Sequence, residues 1–187
     1  MKILVTGATG FIGKILCRNL AKNGHELVIL THSTAESPGV LQERVEEKLG
    51  VPCEAYFWNP LSNPPPPEAL RNVDAIVALA GEPVFGARWT SNRKAAIYHT
   101  RVAANRGIVH AMEQSFKNGD ESSVPKVFVT ASAIGFYGAN RGDEILDETS
   151  TGGDDFLSTV CRDWENEAMR AGEFNVRVIA VRIGFVL

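Results

Sequence analysis

The strand-to-helix turn at the start of this chain restricts its fold more than any other stretch. Residues 2–13 read Lys-Ile-Leu-Val-Thr-Gly-Ala-Thr-Gly-Phe-Ile-Gly. A short apolar strand runs into Gly7, Gly10 and Gly13, and a helical pattern follows at once. Gly7 lets the chain leave the strand sharply. Gly10 keeps a side chain out of the way of whatever approaches the backbone. Gly13 lets the helix pack close to the strand. The amides that open a helix lack intrahelical partners and carry the positive end of its dipole, so the group they suit is anionic. A strand, a glycine loop and a helix in this order is the context in which such glycines hold the pyrophosphate of a dinucleotide. The cofactor contacts expected from this segment are Gly7, Thr9, Gly10, Phe11, Ile12 and Gly13.

The rest of the chain agrees with a parallel sheet flanked by helices. Strand patterns fall at 2–6, 26–31, 53–58, 74–80, 126–131 and 176–182, and helix patterns at 11–23, 39–49, 91–116 and 154–171. Strands that alternate with helices predict an α/β fold, a doubly wound sheet of about six parallel strands with helices on both faces. At 187 residues the chain is long enough for one domain with a sizeable core. Asn23-Gly24 and Gly172 stop the first and last helices. Residues 32–38 read as a loop. Residues 59–67 hold Pro64 to Pro67 and cannot be helix or central strand. That run reads as a stiff surface loop rather than as a ligand for a proline-recognising domain.

Charge and cysteine content exclude several function classes. The net charge of −3 gives no general attraction to nucleic acid or to an anionic membrane. No run of apolar residues is long enough for a membrane span, and the chain opens on a strand rather than on a signal peptide. Cys17, Cys53 and Cys161 are scattered, which argues for a reducing compartment and against a disulfide framework or a metal site. The cytoplasm is the expected location, or an organelle if a transit peptide has been removed. A small-molecule substrate is the expected partner, and a homo-oligomer is left open.

The end of the second strand bears on which dinucleotide is bound. An NAD site usually places Asp or Glu there, on the adenosine ribose. Leu27 to Ser33 contains no carboxylate. Thr31, His32 and Ser33 offer donors that suit the 2′-phosphate of NADP instead. No arginine stands among them to clamp it. NADP(H) is therefore expected and NAD less so. Leu79, Ala80 and Gly81, small at the end of the fourth strand, let the cofactor lie against the backbone. Glu82 and Arg101 are assigned to the same path, Glu82 serving as a capping carboxylate or a site acid. Arg88 and Trp89 follow on the side where substrate would lie. They read either as a grip and wall for an anionic substrate or as a surface charge and a core aromatic. Trp164 has core spacing with Phe156, Val160 and Ala168.

The glycine spacing G-x-x-G-x-x-G resembles the extended short-chain dehydrogenase/reductase (SDR) superfamily, which includes nucleotide-sugar epimerases and dehydratases. Residues 130–138, Thr-Ala-Ser-Ala-Ile-Gly-Phe-Tyr-Gly, resemble that superfamily's Ser-Ser-Ala-x-x-Tyr-Gly segment. The resemblance implies that Ser132 holds a substrate oxygen near the nicotinamide; a small residue tolerated at a crowded strand end is the alternative. The superfamily's Tyr-x-x-x-Lys proton relay falls on Leu157 and Cys161, and no lysine follows Lys126. Tyr137 is then the one tyrosine near enough to serve. Ala80-Gly81-Glu82-Pro83, Arg88-Trp89-Thr90, the Ser132 to Gly138 segment, Cys161-x-x-Trp164-Glu165 and Arg182-x-Gly184-x-Val186-Leu187 together resemble a narrower group. It is the atypical SDR family described as nucleoside-diphosphate-sugar epimerase-like or cell-division-inhibitor-like. The resemblance covers essentially the whole chain. It implies a Rossmann domain over 1–187 that binds NADP, in an oxidoreductase- or epimerase-like protein of unknown substrate or in a non-catalytic, cofactor-binding regulator. Members of that family are longer, so the chain looks like their N-terminal part, without the region that covers a substrate.

Overall fold

A computed structural model describes residues 1–86 and 88–186. Six strands form one sheet: β1 (Lys2–Thr6), β2 (Glu26–Thr31), β3 (Glu54–Phe57), β4 (Ala75–Ala78), β5 (Val127–Ala133) and β6 (Arg177–Ile183). Their order is β3-β2-β1-β4-β5-β6 and every pairing is parallel. The helices are α1 (Phe11–Lys22), α2 (Pro38–Leu49), a single turn α3 (Pro67–Leu70), α4 (Ser91–Lys117) and α5 (Phe156–Met169). This is the expected doubly wound Rossmann-like fold. No helix among the described residues is long and apolar enough to cross a membrane.

Side-chain alternation along the strands explains the two helical layers. Ile3, Val5, Leu27 and Ile29 point to one face, where they meet Cys17 of α1 and Leu41, Val45 and Leu49 of α2. Leu4, Val28, Leu30, Ile76 and Phe128 point to the other, against Ala104, Ile108 and Met112 of α4 and Ala168 of α5. Central strands buried on both faces read as unbroken apolar runs, and β1 and β2 do so here. On the outermost strand, β6, Ile179 and Val181 remain partly exposed.

Three local differences from the sequence reading have physical causes. β5 runs on to Ala133, because β6 pairs with it as far as Ile183 and places Ser132 opposite Arg182. Pro67 opens α3, since a proline without an N–H is tolerated where a helix has no acceptor to offer. The proline run is also not free: Pro65 is buried, and Trp58 and Pro65 both pack at Gly107 of α4. The indole of Trp58 donates to the Asn63 carbonyl at 2.8 Å, which ties the loop down.

Candidate functional site

A cleft of about 610 Å³ opens where the carboxyl ends of β1, β2, β3 and β4 meet. This is the switch point of a doubly wound sheet, where successive crossovers diverge and leave a crevice. Gly7 to Gly10 form its floor, beside Ala80 and Gly81. Gly7 has φ +70, and a Cβ there would stand 2.7 Å from the Leu79 carbonyl carbon. The Thr6 hydroxyl accepts a bond from the Ala80 amide at 3.2 Å and stitches the two strand ends together.

The start of α1 is built to receive an anion. Its N-cap is Gly10, which has no side chain to cap the helix, and its first turn holds no acid. The amides of Phe11, Ile12 and Gly13 accordingly have no acceptor among the described residues. A pyrophosphate fits there by charge and by donor geometry. Gly7, Thr9 and Gly10 line the cleft, whereas Phe11, Ile12 and Gly13 stand just beyond its lining with only their backbone amides turned to the start of the helix. The Phe11 ring is itself exposed to solvent.

The β2 end is neutral and polar. Thr31 is buried, and its hydroxyl accepts from the Ser33 amide at 3.2 Å. His32 and Thr34 line the cleft, whereas Ser33 does not. Phe57, Trp58 and Leu61 supply an apolar wall that the sequence reading missed. They stand there because β3 pairs parallel beside β2, so the loop after β3 faces the same crevice; the strand pattern at 53–58 is the sequence signal that could have found them.

At the β4 end Gly81 lies against Arg101; a Cβ on Gly81 would stand 2.9 Å from the guanidinium carbon. Arg101 donates to the carbonyls of Glu82 at 2.9 Å and Ile97 at 3.0 Å. Burial lowers its pKa, and its guanidinium sits 5.3 Å over the Trp164 ring. The Glu82 carboxylate is paired with Arg93, and the Glu82 amide donates to the Thr100 hydroxyl at 3.0 Å. Glu82 thus lines the cleft with its carboxylate held by Arg93, and the cap of α4 is Thr90 instead.

Ser132 and Tyr137 stand apart from the cleft lining, in a separate polar network. Strand alternation turns Ser132 to the same face as Thr130, toward α5. Its hydroxyl donates to Glu165 at 2.5 Å, and the residue is 3% exposed. Arg182 holds the same carboxylate with two bonds of 2.9 Å, and this pairing pushes the Arg182 pKa up. Arg182 also donates to the Tyr137 hydroxyl at 3.0 Å, and that hydroxyl donates to the Asp147 carbonyl at 2.9 Å. Both candidate catalytic hydroxyls are thus hydrogen-bonded within the protein. Leu157 and Cys161 face Gly135 in the turn after β5. Burial pushes the Cys161 thiol up, so it stays neutral at ordinary pH and replaces no lysine.

Arg88 and Trp89 lie outside the cleft lining and are exposed. The Trp89 indole donates to the Val84 carbonyl at 3.0 Å and its ring meets Phe156 edge-on at 5.7 Å. It is therefore a surface aromatic, not a core one. Phe85 and Phe185 pair nearby, with ring centroids 6.1 Å apart. Leu187, the last residue of the expected final motif, lies outside the described residues.

A family model described as the NAD dependent epimerase/dehydratase family matches residues 3–183. The chloroplastic SDR39U1 homologue of Arabidopsis thaliana, an epimerase family protein, is 32% identical over 187 residues, which are 100% of this chain and 49% of that protein. The epimerase family protein YfhF of Bacillus subtilis is 30% identical over 187 residues, 100% of this chain and 55% of its own length. The chain thus spans about half the length of the curated relatives it matches. Among solved structures, a nucleoside-diphosphate sugar epimerase from Corynebacterium glutamicum aligns with a TM-score of 0.74 at 33% identity. The alignment covers 97% of this chain and 33% of that one. The human epimerase family protein SDR39U1, solved with NADPH, aligns with a TM-score of 0.71 at 26% identity, covering 97% of this chain and 53% of its own.

Proposed function

Because this chain belongs to the NAD dependent epimerase/dehydratase family, we propose that its cleft binds NADP(H) in preference to NAD(H), and that it is an oxidoreductase- or epimerase-like protein acting on a small molecule. One observation carries the cofactor reading. The cleft combines uncapped amides at the start of α1 with a β2 end that offers Thr31, His32 and Thr34 and no carboxylate. A carboxylate at that point would bond the ribose of NAD and repel the 2′-phosphate of NADP. The human relative solved with NADPH supports the same reading. The amides of Phe11 to Gly13 hold the pyrophosphate, Ala80 and Gly81 let the cofactor approach the backbone, and Phe57 and Trp58 wall the adenosine side. Bound NADP(H) would supply hydride transfer. Competition calorimetry tests the preference: NADPH should bind at least about tenfold more tightly than NADH, a difference of roughly 1.4 kcal/mol. Equal or tighter NADH binding overturns it. His32→Asp, on the cleft lining, should shift the preference toward NADH by repelling the 2′-phosphate.

A specific observation favours a second reading, a cofactor-binding regulator without turnover. Leu157 and Cys161 offer no proton relay, and the hydroxyls of Ser132 and Tyr137 are bonded to Glu165 and Asp147. NADPH that binds but is oxidised by no carbonyl compound points to this reading. The compartment we propose is the cytosol, or an organelle as in the chloroplastic relative.

A further inference from the structure

We infer that Arg44, on the second turn of α2, is the cation that receives the 2′-phosphate. The inference rests on the NADP(H) reading above and assigns it a residue. The sequence around β2 shows no arginine at residues 31–33, where a clamp is usually sought. Folding brings one back from α2. Arg44 donates through Nη1 to the Thr34 carbonyl at 2.8 Å. Thr34 and His32 both line the cleft at the β2 end. The guanidinium therefore sits directly behind the loop that faces the adenosine ribose, with that loop tied to it.

Most of its donors are available. A guanidinium has five N–H groups in a rigid fork, and the carbonyl bond uses one. The side chain is 42% exposed, so it is open to solvent beside the cleft lining, of which it is not itself a part. Among the described residues the carboxylate paired with it is Glu36, 3.8 Å from Nη2, with a side chain that is 80% exposed. A long, exposed ion pair of that kind contributes little and yields easily to a stronger anion. A phosphomonoester carries roughly two negative charges and binds an arginine fork with two charge-assisted bonds. The first turn of α2 contains no acid to oppose it. The Thr34 side chain, on the cleft lining, adds a neutral hydroxyl on the same loop. Arg44 thus has two tasks: it holds the 32–36 loop and it pairs with the phosphate.

The two tasks separate by experiment, on the chain as it is. Affinities for NADPH, NADH and adenosine 2′,5′-bisphosphate are measured by calorimetry for the wild type, Arg44→Met, Arg44→Lys and Glu36→Gln. Arg44→Met should weaken NADPH and the bisphosphate by about ten- to a hundredfold, the range of a lost hydrogen bond to a charged group. NADH should weaken much less than NADPH, by at most a few-fold through the loosened loop, and the salt dependence of NADPH binding should shrink. Arg44→Lys keeps the charge without the fork and should recover part of the loss. Glu36→Gln should strengthen NADPH by a few-fold and leave NADH alone. A loop-holding role only would weaken NADPH and NADH alike, and that result overturns the inference. So does an NADPH affinity that Arg44→Met leaves unchanged while the wild type still prefers NADPH. A wild type that does not prefer NADPH overturns the parent reading, and this one with it.

Discussion

A methyl group added at Gly13 would overlap the Gly7 carbonyl oxygen and stand 2.7 Å from the Ala8 Cα. Both neighbours are backbone and neither can swing aside. Gly13→Ala should therefore cost stability, about 1–3 kcal/mol as for other overpacked sites, read as a lower urea midpoint. Gly10 differs. A Cβ there meets only the Gly7 oxygen, at 3.2 Å, and the residue is exposed at the cleft floor. Gly10→Val should leave the chain folded, with a smaller loss of stability than Gly13→Ala, and abolish NADPH binding, because its branched methyls crowd the uncapped amides of α1. A fluorescence titration that finds unchanged affinity would refute the pyrophosphate assignment. These glycines were legible in the sequence because everything they need is local: a strand before, a helix after, and two residues between each pair. Arg44 was not. Its place depends on how the loop after β2 folds back onto α2, and no spacing within 31–33 reports that.

Elements meet through a few buried polar bridges, and these separate stability from function. Glu165 of α5 joins Arg182 of β6 to Ser132 of β5, with both partners of the ion pair largely shielded from water. Glu165→Gln would leave the Arg182 charge without its partner. The expected loss is roughly 2–4 kcal/mol in chemical denaturation, and Arg182→Met added to it should cost less than the sum of the two. On the opposite face, burial pushes the Cys17 thiol up to about 11 and the Cys53 thiol to about 12, from about 9 when free. The folded state holds these protons more tightly than the unfolded one. Their contribution to stability is thus intact below pH 9 and is lost as the pH rises from 9 toward 11–12. The urea midpoint should fall as pH is raised through this window, and less steeply in Cys53→Ala. A midpoint that is flat in pH would show that neither thiol is desolvated. The strands and long helices were readable because buried parallel strands are continuous apolar runs and helices carry their stop signals. The direction of Ser132 was not readable. Whether a hydroxyl at the end of β5 faces the cleft or α5 depends on how far β6 continues the pairing, and that is a contact between distant segments.

The sheet order places the ends of β1, β2 and β4 side by side, and so one cleft collects the glycine loop, the polar end of β2 and the Ala80-Gly81 step. The chemistry beyond the nicotinamide is another matter. It asks for a proton donor and for walls that exclude water. Among the described residues the aromatic groups past the β4 and β6 ends are open to solvent: Phe85 is 71% exposed and Phe185 80%. The positions expected to carry the proton relay hold Leu157 and Cys161. Absence of that relay alone lowers a rate by on the order of a hundred- to ten-thousandfold. The chain as it stands should therefore bind NADPH and show no steady turnover. The measurement is loss of NADPH absorbance against a panel of aldehydes, ketones and quinones, run beside a binding titration on the same sample. Turnover that Tyr137→Phe or Ser132→Ala abolishes, with NADPH affinity unchanged, would overturn this expectation. It would mean that one of these hydroxyls leaves Asp147 or Glu165 when substrate arrives and takes up the role of proton donor.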